Sequence, residues 1–564
     1  MPLMGSLHIG KSGLQTSQNA LNTTSHNISN LDTQGYTRQQ VSLGTKDYSK
    51  LAANATGSDV RQYGLGVDYV ETRQVRDYFL DKTYRKESGR NAFFANSYTA
   101  LTEVETILGE LYGATFNDSL GDLKEALDEL AKTPTDSVVQ GLVVQRASAF
   151  LDSAKAVYNG LSDYQDNLNL QVKTKVDQLN EYAHKLHDLN VAILKVEAAN
   201  VEHANDLKDA RNLILDEMGE LASITYHEDI YGNVIVQVEG HDFVSKDLVY
   251  DIELYQDDVT GFYTPFWQMD ATYKTDSFGV KHYNIEGAEV FDTTRTISSE
   301  LNTDIGGIKA LLYARGDHRA DYTDLADADY YNKNIAQSII MNVQAEFDQL
   351  VHGIATEINR TLAEAADTET GYLCYAFEKN GVTTYQPIQL FQKVVTDGYR
   401  YNEDTFAWEF VPEEADKKET LYSVSNLNVN ADLKKSPTKL SYKKPDGSDD
   451  YELAAKLAKL FQGGENDEST LTLNPNVATR ANFMGYYNDL VNQIANSGQV
   501  FKSFCESQQK TVDATAYARE EIVGVSSDEE LSNMIRFQNA YNASSRYINV
   551  IDEMIEHIIN TFAR

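Results

Sequence analysis

MIRFQNAYNASSRYINVIDEMIEHIINTF, running from Met534 to Phe562, decides how this chain is to be read. Within it Met534, Phe537, Tyr541, Ser544, Ile548, Ile551, Ile555, Ile558 and Phe562 follow an alternating 3,4 spacing, and all but Ser544 are apolar or aromatic. That spacing places them on one seam of a single helix, the a/d pattern of a coiled coil. Asp528, Glu529 and Glu530 precede the run, where acids complement the positive end of the helix dipole. The N-terminus carries a matching seam, since Leu7, Leu14, Leu21 and Ile28 recur every seven residues. From Ser12 to Leu31 no side chain is charged unless His26 is protonated. Uncharged Ser, Thr, Asn and Gln suit an interface where copies pack closely, although the seam alone fits an ordinary amphipathic core helix as well. At Asn30 to Tyr36 polar side chains compete for backbone bonds and Gly35 accepts a positive φ, so the helix gives way to a turn.

The stretch Asn27-Ile28-Ser29-Asn30-Leu31-Asp32-Thr33-Gln34-Gly35-Tyr36-Thr37-Arg38-Gln39 resembles the N-terminal signature of bacterial flagellar axial proteins, the rod, hook and hook-associated proteins. The segment from Asp528 to Arg546 is similar to their C-terminal signature. Asn205 to Glu217, Val234 to Val244 and Asn482 to Val491 resemble the FlgK family of hook-associated proteins within that group. The family pattern more often has Leu where Lys208 stands and Gln-Arg-Asp where Ala210-Arg211-Asn212 stands, a departure expected to touch surface contacts only. Cys374 to Thr420 matches no part of the pattern.

The resemblance implies a structural part of the flagellum at the hook–filament junction, exported through the flagellar type III apparatus without a cleaved signal. Its implied partners are copies of itself in a helical ring, the hook protein, the second junction protein and an export chaperone. Asn27, Asn30, Gly35 and Tyr36 would serve assembly together with the two seams. A free subunit would leave both termini without a partner, so they are expected to be disordered until docking. Two other roles stay open: the hook protein itself, or an exported adhesin or enzyme carried on axial ends with its active part between Tyr372 and Leu473.

Composition narrows the classes. A chain of 564 residues exceeds one ordinary core and suggests roughly three or four domains. Its net charge of −36 argues against nucleic acid. No apolar run is long enough to span a membrane, and Met1 to Leu21 lacks a basic region followed by an apolar core. Cys374 and Cys505 are expected as free thiols. Phosphate-loop, metalloprotease, nucleophile-elbow and Cys-x-x-Cys patterns are absent, so no enzyme and no cofactor are expected. His184, His187 and His203 suggest solvated histidines more than a metal site. Asp321, Asp324, Asp327 and Asp329 lack the glycine and glutamate of a calcium loop, Ala326 and Asn332 standing there instead.

The expected fold is α+β and multidomain: a long helical coiled-coil or bundle core built from both termini, with β-rich domains inserted. Residues 1–36 with 529–564 would form the terminal coiled coil, and 37–223 with 305–365 and 482–528 a helical bundle. Residues 224–304 would form a β-rich insertion opened by the alternation Ile224, Tyr226, Val234, Val236 and Val238, and 366–481 a second β-rich or irregular outer region, extended over about 372–473. Val41 to Val75 suggests short extended pieces, and Asn91 to Leu111 a helix. Leu161 to Met218 contains no Gly or Pro, and its seam loses phase after Leu186. That predicts a long helix, a turn near 198–205 and a return helix capped by Asp206.

Overall fold

The computed structural model describes residues 3–53, 60–109, 115–198, 203–276, 281–379, 381–403, 405, 407–463 and 470–562. In chain order the elements are α1 (Leu3–Ser29), β1 (Gln39–Thr45), β2 (Ser49–Ala53), β3 (Val60–Tyr63), β4 (Val67–Gln74), α2 (Tyr78–Leu108), α3 (Phe116–Lys132), α4 (Ser137–Glu197) and α5 (Asn205–Leu221). Strands β5 (Ile224–Glu228), β6 (Val234–Val238), β7 (His241–Val244), β8 (Ile252–Gln256), β9 (Tyr263–Trp267), β10 (Thr272–Thr275) and β11 (Lys281–Asn284) follow. Then come α6 (Gly307–Arg315), α7 (Ala328–Tyr330), α8 (Ile339–Ala365), β12 (Cys374–Lys379), β13 (Val382–Pro387), β14 (Phe391–Lys393), β15 (Tyr399–Asn402), β16 (Ala407–Phe410) and β17 (Leu427–Val429). The chain closes with α9 (Ala431–Lys435), α10 (Tyr451–Lys459), β18 (Leu471–Thr472), β19 (Arg480–Ala481), α11 (Phe483–Val523) and α12 (Ser527–Phe562). The fold is α+β, with long helices at both ends and several small antiparallel sheets.

Two compact units account for the chain: residues 1–91, 177–252 and 507–564, and residues 92–176 and 253–506. They cut across the four ranges read from sequence, since β5 to β7 fall in the first unit and β9 to β11 in the second.

In the first unit β1 and β4 form an antiparallel ribbon from Gln39 opposite Gln74 to Thr45 opposite Val67, with an irregularity between Ser42 and Leu43. The β5–β6 hairpin pairs Ile224 with Val238 and Glu228 with Val234 around a turn at Gly232. Alternation buries Val234, Val236 and Val238. Helix α4 runs unbroken to Glu197, so its loss of heptad phase changes which face is covered without ending the helix. Helix α5 starts at Asn205 with Ala204 as N-cap and no side-chain cap; Asp206 bonds elsewhere.

In the second unit the core centres on α8. The rings of Phe150 and Phe347 and of Tyr487 lie 5.5, 4.9 and 4.9 Å from Phe116, the first residue of α3. Thr115 and Asp118 close a capping box at that helix start. Leu101, Val104 and Leu108 are buried on α2, which begins at Tyr78 rather than near Asn91; Leu111 lies outside the described residues. Helix α10 corrects the reading of 372–473 as extended. Leu453, Ala454, Leu457 and Ala458 share its buried face and Asp450 accepts from Leu453 N at 3.1 Å, a helical pattern overshadowed by the preceding Pro445-Asp446-Gly447 turn. The aspartates from 321 to 329 act as caps: Asp321 and Asp324 form a box around a short 3₁₀ turn, and Asp327 caps α7.

Two carboxyls are buried on α8 with no lysine or arginine among their hydrogen-bond donors. Glu346 accepts from Asn474 at 2.8 Å and from Gln493 at 3.0 Å, and Asp348 accepts from the backbone N–H groups of Val424 (2.6 Å) and Tyr322 (3.1 Å). Burial pushes each up to about 7. His318, held between Asp317 (2.6 Å) and Asp324 (3.2 Å), is raised to about 9, the two acids outweighing its burial. A raised carboxyl means that the native state binds the proton more tightly, so stability falls as pH climbs from the unfolded value near 4 to the folded value near 7. The raised histidine is fully stabilising below about 6.5 and loses that contribution through 9. All three run the same way. Urea midpoints followed by a probe in the second unit are therefore expected to be higher at pH 5 than at pH 8, by the equivalent of a few kcal/mol; an equal or lower midpoint at pH 5 would contradict this balance.

Candidate functional site

The two terminal helices pack on each other. Each terminus is the other's partner within one chain, where a free subunit was expected to leave both unpartnered. Along α1 the line Ser6, Gly10, Gly13, Ser17, Ala20, Thr24 and Asn27 repeats at 4,3 spacing, and all but Gly13 are buried. A Cβ on Gly10 would stand 2.7 Å from Cγ1 of Ile548, and one on Gly13 would stand 2.7 Å from Oγ of Ser544. The backbone of α1 therefore lies directly against α12. Leu7, Leu14, Leu21 and Ile28 are half-buried beside this line of small residues. Sequence periodicity picks out the large apolar residues, whereas close approach of two helices is made by small ones; the Gly10/Gly13/Ser17/Ala20 spacing carried that signal.

On α12 Met534, Phe537, Tyr541, Ile548 and Ile555 are half-buried and Ile551 is buried. Ile558 is exposed and Phe562 is 86% exposed. Ile535, Val550, Met554 and Ile559 are exposed too. The pair thus leaves a broad apolar flank uncovered.

The turn after α1 holds the signature residues. Asn27, 1% exposed, meets both backbone groups of Gln39: its Nδ2 donates to the carbonyl at 2.9 Å and its Oδ1 accepts from the N–H at 3.1 Å. The Tyr36 hydroxyl donates to the same Oδ1 at 2.7 Å. Burial, then Asp209, Asp206 and Glu530, hold the Tyr36 phenol well above its usual range, so it stays a donor. Asn30 donates through Nδ2 to the His26 carbonyl at 3.0 Å and accepts from Thr33. Gly35 has φ +79°, a conformation side chains resist.

Past the turn, Thr37 N–H donates to Asp209 of α5 at 3.2 Å, and Gln74 Nε2 donates to the other oxygen of Asp209 at 2.8 Å. Burial, opposed by Thr37 and by the charge of Arg76, pushes Asp209 up to about 6. Arg38 reaches Glu529 at 2.8 Å and the buried Glu530 at 3.0 Å. Glu530, expected to serve the helix dipole, is thus the inner half of an ion pair. A chain of charges continues from Arg76 to Asp81 (2.5 Å), Asp81 to Arg519 (2.8 Å), Arg519 to Asp216 (2.7 Å) and Asp216 to Arg85 (2.6 Å). Arg211, which keeps the family pattern, is buried and bonds to the Gly232 carbonyl (2.8 Å), Asn190 (3.2 Å) and Glu228 (3.3 Å); Asn212, where the pattern departs, accepts from the buried Arg85 at 3.2 Å, so the departure reaches an interior contact as well as the surface. None of Asp81, Arg85, Asp209, Asp216 and Arg519 stands out in one sequence, because alternating charge on a helix reads as a solvated face until its partners are known.

The remaining candidates resolve locally. His184 pairs with Asp251 at 2.9 Å, and His203 with Glu71 at 3.0 Å. Among the described residues no group of three or more His, Cys, Asp or Glu is placed to hold a metal ion, and no helix is long and apolar enough to cross a membrane. Cys374 and Cys505 are free.

A family profile described as "Flagellar hook-associated protein FlgK helical domain" matches residues 101–373. "Flagella basal body rod protein" matches 7–37, and "Flagellar basal body rod FlgEFG protein C-terminal" matches 519–561. The latter two fall on the paired terminal segments. The chain belongs to the FlgK family of flagellar hook-associated proteins. Flagellar hook-associated protein 1 of Bacillus subtilis is 22% identical over 562 residues, covering 98% of this chain and 97% of that protein. The protein of the same name from Escherichia coli is 22% identical over 563 residues, covering 97% and 98%. The solved flagellar hook junction protein FlgK from Burkholderia pseudomallei superposes at a TM-score of 0.48 and 12% identity, covering 78% of this chain and 99% of that one. Members of the family are structural proteins of the bacterial flagellum.

Replacing Gly10 by Leu should force α1 from α12 and speed amide exchange in both helices by roughly tenfold or more. Gly121, with nothing within 4 Å of a Cβ, is the control: Gly121→Ala should be neutral or stabilising by up to about 1 kcal/mol.

Proposed function

We propose that the chain is a subunit of the junction that joins hook to filament, polymerising through its paired terminal helices. The observation that carries this is the uncovered apolar flank of α12 on a pair of helices bearing both axial signatures. On this reading the seam residues from Leu7 to Ile28 and from Met534 to Phe562, with Asn27, Asn30, Gly35 and Tyr36, set the inner tube. The expected neighbours are further copies of the chain in a ring, the hook protein below and the second junction protein above, with a chaperone guarding the flank before export. Residues 224–304 and 366–481 would face outwards. Secretion would use the flagellar export route, and no catalytic step is assigned.

Electron microscopy of a deletion strain tests the role. Hooks without filaments are the expected result. Missing hooks would make the chain the hook protein, and normal flagella with a lost binding activity would make it an adhesin. A narrower test replaces Ile559 and Phe562 by Glu. Both are exposed, so the subunit should fold with unchanged stability, within about 0.5 kcal/mol, while filaments are lost as in the deletion; normal filaments would remove the flank from the assembly mechanism.

A further inference from the structure

Arg315, the last residue of α6, is 3% exposed, yet its guanidinium pairs with no carboxylate among the described residues. Its Nε donates to the Gly316 carbonyl at 2.9 Å, and Nη1 donates to Asn169 Oδ1 at 2.7 Å and to the Tyr263 carbonyl at 2.8 Å. The ring of Phe262 lies against the guanidinium, 4.8 Å from Cζ to centroid. Nη2 has no partner among the described residues, so it is the nitrogen left to meet an occupant. A buried cation held by neutral acceptors keeps its charge uncompensated. Burial lowers Arg315 to about 10, which leaves it protonated at neutral pH.

Arg315 lines a cavity of about 250 Å³ in the second unit. Lys333 lines it too, exposed and with no acid paired to it among the described residues. In a chain of net charge −36, two unopposed cations in one cavity run against the composition. The acids of the lining are engaged by their own neighbours, Asp317 by His318 at 2.6 Å and Glu289 by the Gly287 N–H at 2.9 Å. Gln337, also in the lining, has a buried Oε1 without a partner, a group that native interiors seldom leave unanswered. Pro265, Phe291 and Leu312 are buried and give the cavity an apolar part.

We propose that this cavity binds a small monocarboxylate, with Arg315 and Lys333 meeting its charge and Pro265, Phe291 and Leu312 its apolar body. A carboxylate is the planar acceptor that a guanidinium favours. Glu289 and Asp317 repel a second negative charge, and the volume falls below the roughly 300 Å³ at which drug-sized sites begin. The assignment involves the second unit alone and does not rest on the hook–filament role.

Titration calorimetry of the full-length chain with benzoate, benzamide and sulfate at low salt tests it. Benzoate should bind one to one with a Kd of about 1 mM or tighter, and the uncharged benzamide and the dianion sulfate at least roughly tenfold more weakly. No saturation by benzoate at roughly tenfold that concentration overturns the proposal, as does benzamide or sulfate binding equally well. Arg315→Gln should abolish benzoate binding, but it also removes bonds to Asn169 and Tyr263 that hold the fold. Lys333→Glu therefore decides: the position is exposed, so folding is unaffected, and benzoate should weaken by roughly tenfold. Unchanged affinity in Lys333→Glu would put benzoate elsewhere and refute the site.

Discussion

A strand residue lying beside a helix presents one N–H and one C=O in the same direction, and the interior of a helix has no backbone group free to meet them. In this chain a single asparagine carboxamide repeatedly answers both. Asn27 does so for Gln39, Asn180 for Ile252 and Asn190 for Val234. Asn169 accepts from Tyr263 N–H and donates to the Gly261 carbonyl, and Asn359 bridges Leu390 and Phe391. Each bridge demands two bonds of fixed direction, so it sets strand register as well as adding stability. A one-residue slip would turn the strand's other face to the helix and strand buried polar groups at about 1–3 kcal/mol each. Hairpin β5–β6, strand β8 and the entry to β1 all hang from such bridges.

Buried acids are held in two ways. The first unit pairs most of its inward acids with arginines, Asp81, Asp216 and Glu530 each meeting a guanidinium, while the buried Asp209 is held by a backbone N–H and an amide. The second unit buries Glu346 and Asp348 with amides and backbone N–H groups as their hydrogen-bond donors, and burial then raises both. Paired charges fix direction strongly, since Arg presents a planar fork and removing one partner strands the other. Amide-ringed carboxyls hold loops in place yet respond to pH. The direction-setting kind is concentrated where the terminal helices are anchored.

Much of this was legible in the sequence. Seven-residue spacing announced both terminal helices, alternation announced β5–β6, and a gap free of Gly and Pro announced α4 and α5. What stayed hidden shares one cause. Gly10, Gly13 and Ser17 are too small to register as a seam, yet smallness lets α1 approach α12. Arg38 and Glu530 are 492 residues apart, and each alone reads as a surface charge. Asn27 and Gln39 were conspicuous within the signature, but only the folded chain shows that one bonds the other's backbone. Periodicity reports on faces of elements; the site is made by pairs across elements.

The uncovered flank sets a scale for assembly. Ile535, Val550, Met554, Ile558, Ile559 and Phe562 would together contribute roughly 9–18 kcal/mol if fully buried, at about 1.5–3 kcal/mol each. That is an upper limit, because side chains already touching neighbours have less surface left to lose. Association of two bodies opposes it by about 4–15 kcal/mol, so a single contact of this size is marginal. A subunit entering a ring gains contacts on two sides while losing its freedom once, which tips the balance toward growth at an existing edge and away from pairs in solution. A firmer intramolecular closure of α1 on α12 would hide the flank and abolish that difference. The close, small-residue contact between the two helices is therefore what the proposed role requires: it aims the pair and leaves the outer flank of α12 to be completed by a neighbour.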